Sequence, residues 1–353
     1  MTIKTLHGKF VFNLMRFVVE GANSHYFEQS GQFLNRCYET SSLRDYSSKY
    51  ATLLSYSQVE DLLKERCGGQ ILSDQRIHGI VSEEAHKIGQ IQLAQIGQWA
   101  NVPMPVLKTG EQIDLYDATA QEVLLMEDGI SVAKQKPKRD NQNKNGKERL
   151  IQDIVLFQKS DKTVKRLVAA QGVSLTELTR CELKKEYGCT TPKSAPLSIV
   201  VLSDGATTIK NRYQKLLGQS YRHILDWYHL QKKVFDLMSM IAHNKQEKEL
   251  LALKINALLW VGKSQEVLDL LTTVKARNVS KLEELVKYLT KNQYAIIDYQ
   301  RRQNNGKTIG SGAMEKTVHI LVGKRQKAHA KSWSPAGSNN LAVLDAYIRN
   351  KAA

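Results

Sequence analysis

The sequence predicts a mixed α/β fold. Its sheet is built in the order β-β-β-α-β-α-β, preceded by a helical N-terminal region and interrupted by an all-helical insertion. Three observations lead there. The apolar run from Leu197 to Leu202 in "LSIVVLSDGATTIK" shows no alternation and stops abruptly at Ser203, Asp204 and Gly205. Such a run reads as a strand buried on both faces, as in a parallel sheet. Upstream, three strand-like segments precede the first helix of this region, which is how a hairpin-fed sheet begins. Downstream of Leu230 the strand–helix alternation ceases and every segment is helical to about Arg302.

The 353 residues suffice for two or three domains, and 42% hydrophobic with 24% charged residues is ordinary for a soluble globular protein. The charge balance is not ordinary. Fifty-one Lys and Arg against 35 Asp and Glu leave a net charge of +16 and a pI near 9.5. That excess concentrates polyanions, of which nucleic acid is the commonest. Cys37, Cys67, Cys181 and Cys189 form no CxxC pair and read as reduced thiols rather than a zinc site. No apolar run approaches the roughly 18 residues of a membrane span. Arg16 interrupts the apolar start, which also lacks a small-residue cleavage site and so does not read as a signal peptide. The expected location is the cytoplasm.

Taken in order, residues 1–20 read as strand or hairpin, with "KFVF" and "RFVV" beside Gly8 and Gly21. From Leu43 to Trp99 the pattern is helical. Ser57 and Glu60 are spaced as a capping box before Val59, Leu62 and Leu63. "CGGQ" breaks that helix, and a second begins after Ser73 with Ile77, Val81, Ala85 and Ile88 at helical spacing. Helix, glycine turn, helix is the form of a helix-turn-helix, though also of any helical hairpin. Within it Gln75, Arg76 and His78 are side chains that can reach bases or phosphates. "NVPMPVLKTGE" is a linker. "EVLLMEDGISVAKQ", "IQDIVLFQ" and "TVKRLVAAQ" are strands, the first two separated by the basic loop "KPKRDNQNKNGKE". "SLTELTRCELKKEYG" is a helix with Ser174 and Glu177 at its start. The opening strand, the helix "ATTIKNRYQKLLG" and a fifth strand "RHILDWY" follow. The expected organisation is an N-terminal region with helix-turn-helix-like helices (1–110), the first part of the α/β core (115–230), the helical insertion (231–305), and a closing segment (306–353).

Three acids stand out: Asp128 inside the first core strand, Asp204 at the end of the fourth, and Glu315 in the first turn of a late helix. Taken singly, an Asp-Gly pair is most often a turn, and a helix-start glutamate often only complements the dipole. If the two strands are neighbours about 4.8 Å apart, however, their carboxylates face one another. Two unpaired carboxylates that close repel unless one is protonated or a cation neutralises them. Hard oxygen ligands suit Mg²⁺ or Mn²⁺, and two such ions can activate a nucleophile and steady the leaving oxygen of a phosphodiester.

These residues carry a resemblance. "VVLSDGATTI", then "HILDWYHL" with Asp226 and His229 matching a C/D-x-x-H signature, then "IGSGAMEKTVHILVGKRQK", resemble Mutator-type insertion-sequence transposases, in particular the Kra group. The likeness covers roughly residues 120–350. It implies the ribonuclease H-like catalytic core of DDE transposases, with Asp128, Asp204 and Glu315 as catalytic and metal-holding acids, 76 and 111 residues apart. The implied activity is metal-dependent hydrolysis at element ends followed by strand transfer, at a site holding Mg²⁺ or Mn²⁺, two ions in all. The implied partners are double-stranded DNA of terminal inverted repeats and targets, bound by a homo-oligomer in the bacterial nucleoid. Alternatives are a nuclease that cuts without joining, and a DNA-binding protein that does neither. Asp226 is a metal ligand, a support for one, or a sheet-end cap. His229 orients a phosphate or water, or simply bonds structurally. Lys324, Arg325, Lys327 and Lys331 follow the Glu315 helix and are expected along the DNA. Trp260 is expected in the helical core.

Overall fold

A computed structural model describes residues 1–13, 17–19, 22–24, 37–136, 148–188, 196–328 and 331–352. Most of the basic loop, residues 137–147, and Cys189 lie outside this set.

At the N-terminus, β1 (Thr2–Thr5) pairs antiparallel with β2 (Gly8–Val11) and parallel with β5 (Cys37–Glu39), while β3 (Phe17–Val19) pairs with β4 (Ala22–Ser24). Three helices follow: α1 (Ser41–Ala51), α2 (Tyr56–Cys67) and α3 (Asp74–Trp99). The cap of α2 differs from the expected one. Ser55, not Ser57, accepts from Gln58 N, and the Gln58 side chain returns the bond to Ser55 N. Glu60 is occupied elsewhere, accepting from Asp74 N at 2.8 Å and from Gln70 at 2.7 Å, so it ties α2 to the start of α3. Gly68 ends α2 in the left-handed conformation and Ser73 caps α3, as the sequence predicts.

The central sheet comprises β6 (Glu122–Ala133), β7 (Arg149–Gln158), β8 (Val164–Leu167), β9 (Ser198–Ser203) and β10 (Arg222–Leu225). Their spatial order is β10-β9-β6-β7-β8. β6, β7 and β8 are antiparallel neighbours, whereas β9 lies parallel to β6 and β10 parallel to β9. The two parallel steps run through α4 (Leu175–Tyr187) and α5 (Thr207–Leu217). The fold is thus α/β with a mixed sheet, and its element order is the expected one.

Both sheet faces are covered, which explains the unalternating runs. Val123 and Leu125 of β6, with Ile199 and Val201 of β9, face the apolar cluster under α4 and α5. Leu124, Met126, Val200 and Leu202 face a larger cluster on the opposite side. That cluster extends from Leu43 of α1 to Ala346 of α12 (Pro335–Lys351), and α3 packs on both α12 and α4. The apolar core therefore does not divide at residue 110.

Helices α6 (Trp227–Ile241), α7 (Lys245–Trp260), α8 (Ser264–Thr272), α9 (Val279–Asn292) and α10 (Tyr299–Asn304) make up the helical stretch. Trp260 packs against Trp227 and Tyr299, ring centres 4.8 and 6.3 Å away. The chain returns to the sheet through a buried ion cluster. Arg302, fully buried, binds Glu122 at 2.5 Å and the carbonyls of Leu115 and Thr308, and Lys307 reaches Glu122 at 3.1 Å. Removing one partner from such a cluster strands a buried charge, at a cost of about 3–5 kcal/mol. The cluster anchors the segment leading into α11 (Gly312–Val318), which continues as π-helix through His319–Lys327.

Candidate active site

The site forms where β6, β9 and β10 reach the same level. Glu122 pairs with Ser198 and Met126 with Leu202, an offset of 76 residues. Asp128 and Asp204 carry the same offset, so each lies two residues beyond the last pair of the ladder. Both have the parity of the residues that face the larger apolar cluster. Leu225 pairs with Ser203, and the Asp226 N–H donates to the Ser203 carbonyl at 2.8 Å, which brings Asp226 level with Asp204 on the third strand.

The three aspartates have different surroundings. Asp128 is half-buried and one oxygen accepts from Gly129 N at 2.8 Å. Burial pushes its pKa up, the negative charges of Asp204 and Glu315 add to the rise, and Gly129 N–H and His229 only partly oppose it. Asp204 is exposed at a turn, accepting from Ala206 N at 2.9 Å, and Gly205 turns the chain with φ +86°. A β-carbon on Gly205 would stand 2.8 Å from Asn292 Oδ1 and 2.9 Å from Leu225 Cδ1, so this turn requires glycine.

Asp226 is fully buried and its carboxylate is engaged on both oxygens. Oδ1 caps α6 by accepting from Tyr228 N at 2.7 Å and His229 N at 3.3 Å, and Oδ2 accepts from Ser311 N at 2.8 Å. His229 Nδ1 approaches Oδ2 at 3.2 Å, outside hydrogen-bond geometry. Burial alone would raise the Asp226 pKa, but the His229 and Ser311 contacts outweigh it and hold the carboxyl below its usual value. His229 is raised in turn, first by Asp226 and then by the charges of Asp204 and Asp128. Asp226 has the geometry of an N-cap on α6 rather than of a cap of the sheet end. It also clamps the Gly310–Ser311 turn from which α11 departs.

Glu315 lies in the first turn of α11, exposed, its N–H bonded to Ser311 O at 2.8 Å. α11 packs on β6 and β7, which brings the Glu315 charge within reach of Asp128. Gly310 permits the close approach of this turn to α6. A β-carbon there would collide with the Tyr228 ring. Behind Asp204, Ser203 Oγ meets His223 Nε2 at 2.9 Å, and His223 Nδ1 meets the Tyr294 hydroxyl at 3.1 Å. Sequence reasoning missed this chain, the Ser311 clamp and the Gly310 packing. "IGSG" and "HIL" are visible motifs, but their partners lie 71 and 85 residues away.

Among the described residues, no three His, Cys, Asp or Glu side chains already stand as ligands around one point. What fits a cation is the chemistry of the donors. Asp128, Asp204 and Glu315 are hard oxygen donors whose mutual repulsion is felt at Asp128.

The expected DNA-contacting residues divide. Gln75 is exposed, and His78 lies edge-on to Tyr56 with ring centres 5.3 Å apart. Arg76 is held instead by Glu39 at 2.7 Å and Glu83 at 2.6 Å, within a network that includes Arg44 and Glu84. The Arg76 bond first, then burial opposing it and Arg44 beside it, bring Glu83 down to about 2. Lys324 and Lys327 are exposed and Lys331 is partly so. Arg325 is not at the surface. It is 4% exposed, donates to Ala51 O at 3.2 Å and lies between the Tyr56 and Trp333 rings, so it fastens α11 to the N-terminal helices rather than meeting a phosphate. No helix among the described residues is long and apolar enough to cross a membrane. Compared with known proteins, the chain matches no protein-family model and no curated protein.

Proposed function

We propose that the protein is a DNA transposase of the DDE type with a ribonuclease H-like core. It hydrolyses a phosphodiester at the end of a mobile element and uses the freed 3′-hydroxyl to attack target DNA. The observation that carries this reading is the level placement of Asp128 and Asp204 on adjacent parallel strands, with the charge of Glu315 facing Asp128. The strand order supports it, since the first core strand is central, flanked by its antiparallel hairpin on one side and the two crossover strands on the other. The net charge of +16 suits a DNA substrate.

Asp128, Asp204 and Glu315 would hold Mg²⁺ or Mn²⁺ ions, two in all. When bound, these supply activation of the attacking oxygen and charge stabilisation of the leaving one. Asp226 keeps the Ser311 turn in place, and His229, its pKa raised first by Asp226 and then by the charges of Asp204 and Asp128, stands beside these acids. Joining two ends calls for a homo-oligomer assembled on DNA, in the bacterial nucleoid.

The test is Mg²⁺-dependent nicking of an end-containing duplex by the purified protein, together with strand transfer from pre-cleaved ends. Joining is expected alongside cutting. Cutting without joining identifies a nuclease of this fold, and binding with neither identifies a non-catalytic DNA-binding protein.

A further inference from the structure

Beyond the carboxylates, β6 and the π-helical segment run on side by side and open a groove of about 650 Å³. Lys134, Lys136 and Arg149 line one wall, Lys327 and Lys331 the other. The carboxylate among the lining residues, Glu148, is paired with Lys134 at 2.6 Å, which leaves the groove strongly positive. Its walls are held together by backbone. Trp333 N donates to Ala133 O at 2.9 Å, and Gln135 N donates to Trp333 O at 2.8 Å. Burial first and then the nearby Arg325 charge hold Lys331 below the usual lysine range.

We infer that this groove binds the sugar–phosphate backbone of a DNA strand whose reacting phosphate lies at Asp128. One wall continues β6, the strand of Asp128, and adds Arg149 from the start of its partner β7; the other carries Lys327 of the π-helical continuation of α11, and Lys331 beyond it. At about 3.3 Å per residue along β6 and its continuation, the groove residues from Ser131 to Lys136 lie roughly 10–26 Å from Asp128. A DNA strand rises about 3.4 Å per nucleotide, so the contacted phosphates lie about three to eight nucleotides from the reacting one. The side chains are lysine and arginine on a shallow surface, which suits phosphate positioning rather than base readout. The inference rests on the transposase reading for its distance to the reaction, and on the groove alone for its partner.

Two measurements test it. The first is the dissociation constant of a random-sequence duplex across a salt series, for wild type and for the triple variant Lys134→Ala, Arg149→Ala, Lys327→Ala, with thermal melting to check folding. A loss of at least about tenfold at low salt is expected, with the log–log salt slope shallower by roughly 2–3, near 0.9 per lost phosphate contact. The second uses wild-type protein and methylphosphonate substitutions along one strand of an end-containing duplex. Binding should weaken for substitutions about three to eight nucleotides from the cleaved position and not farther out. Wild-type affinity and slope in the folded triple variant overturn the inference, as does interference elsewhere only. Nicking that persists in wild type while both groove measurements fail sinks the groove alone. Absent nicking with a shallower slope retains the groove and sinks the transposase reading.

Discussion

Asp128 and Asp204 stand level on adjacent parallel strands because their separation in sequence equals the register of the ladder between those strands. A slip of one residue would turn one of them onto the opposite face of the sheet. Their proximity has a consequence that needs no DNA to measure. Asp204→Asn removes one of the negative charges that raise Asp128, so the Asp128 pKa should fall toward its ordinary value, read by carboxyl carbon chemical shifts. The same variant should nick DNA more than roughly a hundredfold slower, since even groups that only support a metal ligand cost about 10–100-fold. An unmoved Asp128 titration would show that the two charges are not neighbours.

Asp226 is expected to behave as a structural clamp. Asp226→Ala leaves the N–H groups of Tyr228 and His229 uncapped and strands that of Ser311 in a buried place, at a cost of about 2–4 kcal/mol. Asp226→Asn can keep the cap through its oxygen but turns an amide N–H toward Ser311 N, so an intermediate loss is expected. Urea midpoints at constant slope measure both. A loss below about half a kcal/mol for the alanine variant is incompatible with the clamp.

His223 makes stability depend on pH. Burial pushes its pKa down to about 4, Lys210 pushes the same way, and Asp204 opposes them weakly. The native state thus disfavours the imidazolium, while the unfolded chain protonates near 6.5. Stability from this residue is complete above about 6.5 and is lost as pH falls from there toward 4, on the order of 3 kcal/mol in all. The difference in unfolding free energy between wild type and His223→Gln should therefore change between pH 7.5 and pH 4.5, with wild type losing more. Parallel pH curves for the two proteins would refute the assignment.

The sheet was legible in the sequence because a strand covered on both faces must be apolar on both, and "LSIVVL" and "EVLLM" are. Helix starts were legible where one capping residue had no rival, as at Ser73 and Ser174. At α2 two serines competed: Ser55 caps the helix with Gln58, while Glu60 reaches Asp74, a contact invisible to local spacing. Basic side chains were the least legible. Arg76 resembles a DNA-reading residue until Glu39, from a strand 37 residues earlier, comes to meet it. Arg325 sits in a basic run, yet the π-helical turn faces it inward toward Tyr56 and Trp333. Charge can be counted from sequence, but its direction is decided by tertiary packing.

Glu315 is the acid whose role is easiest to separate from structure. It is exposed on a short helix held in place by other residues, with Ser311 clamped by Asp226 and Met314 buried beneath. A carboxylate that only complements the helix dipole contributes nothing to chemistry. A cation-holding carboxylate behaves in the opposite way. Glu315→Gln keeps the size and removes the charge, so melting temperature and DNA affinity should stay near wild type. The Asp128 pKa should fall, because one of its repelling neighbours is gone. Mg²⁺-dependent nicking and strand transfer should both disappear, since one set of acids serves both. Mn²⁺ should restore a trace of nicking, as it tolerates poorer ligation than Mg²⁺. Wild-type nicking by Glu315→Gln would move the third acid elsewhere, with Asp226 the first residue to examine despite its engaged oxygens.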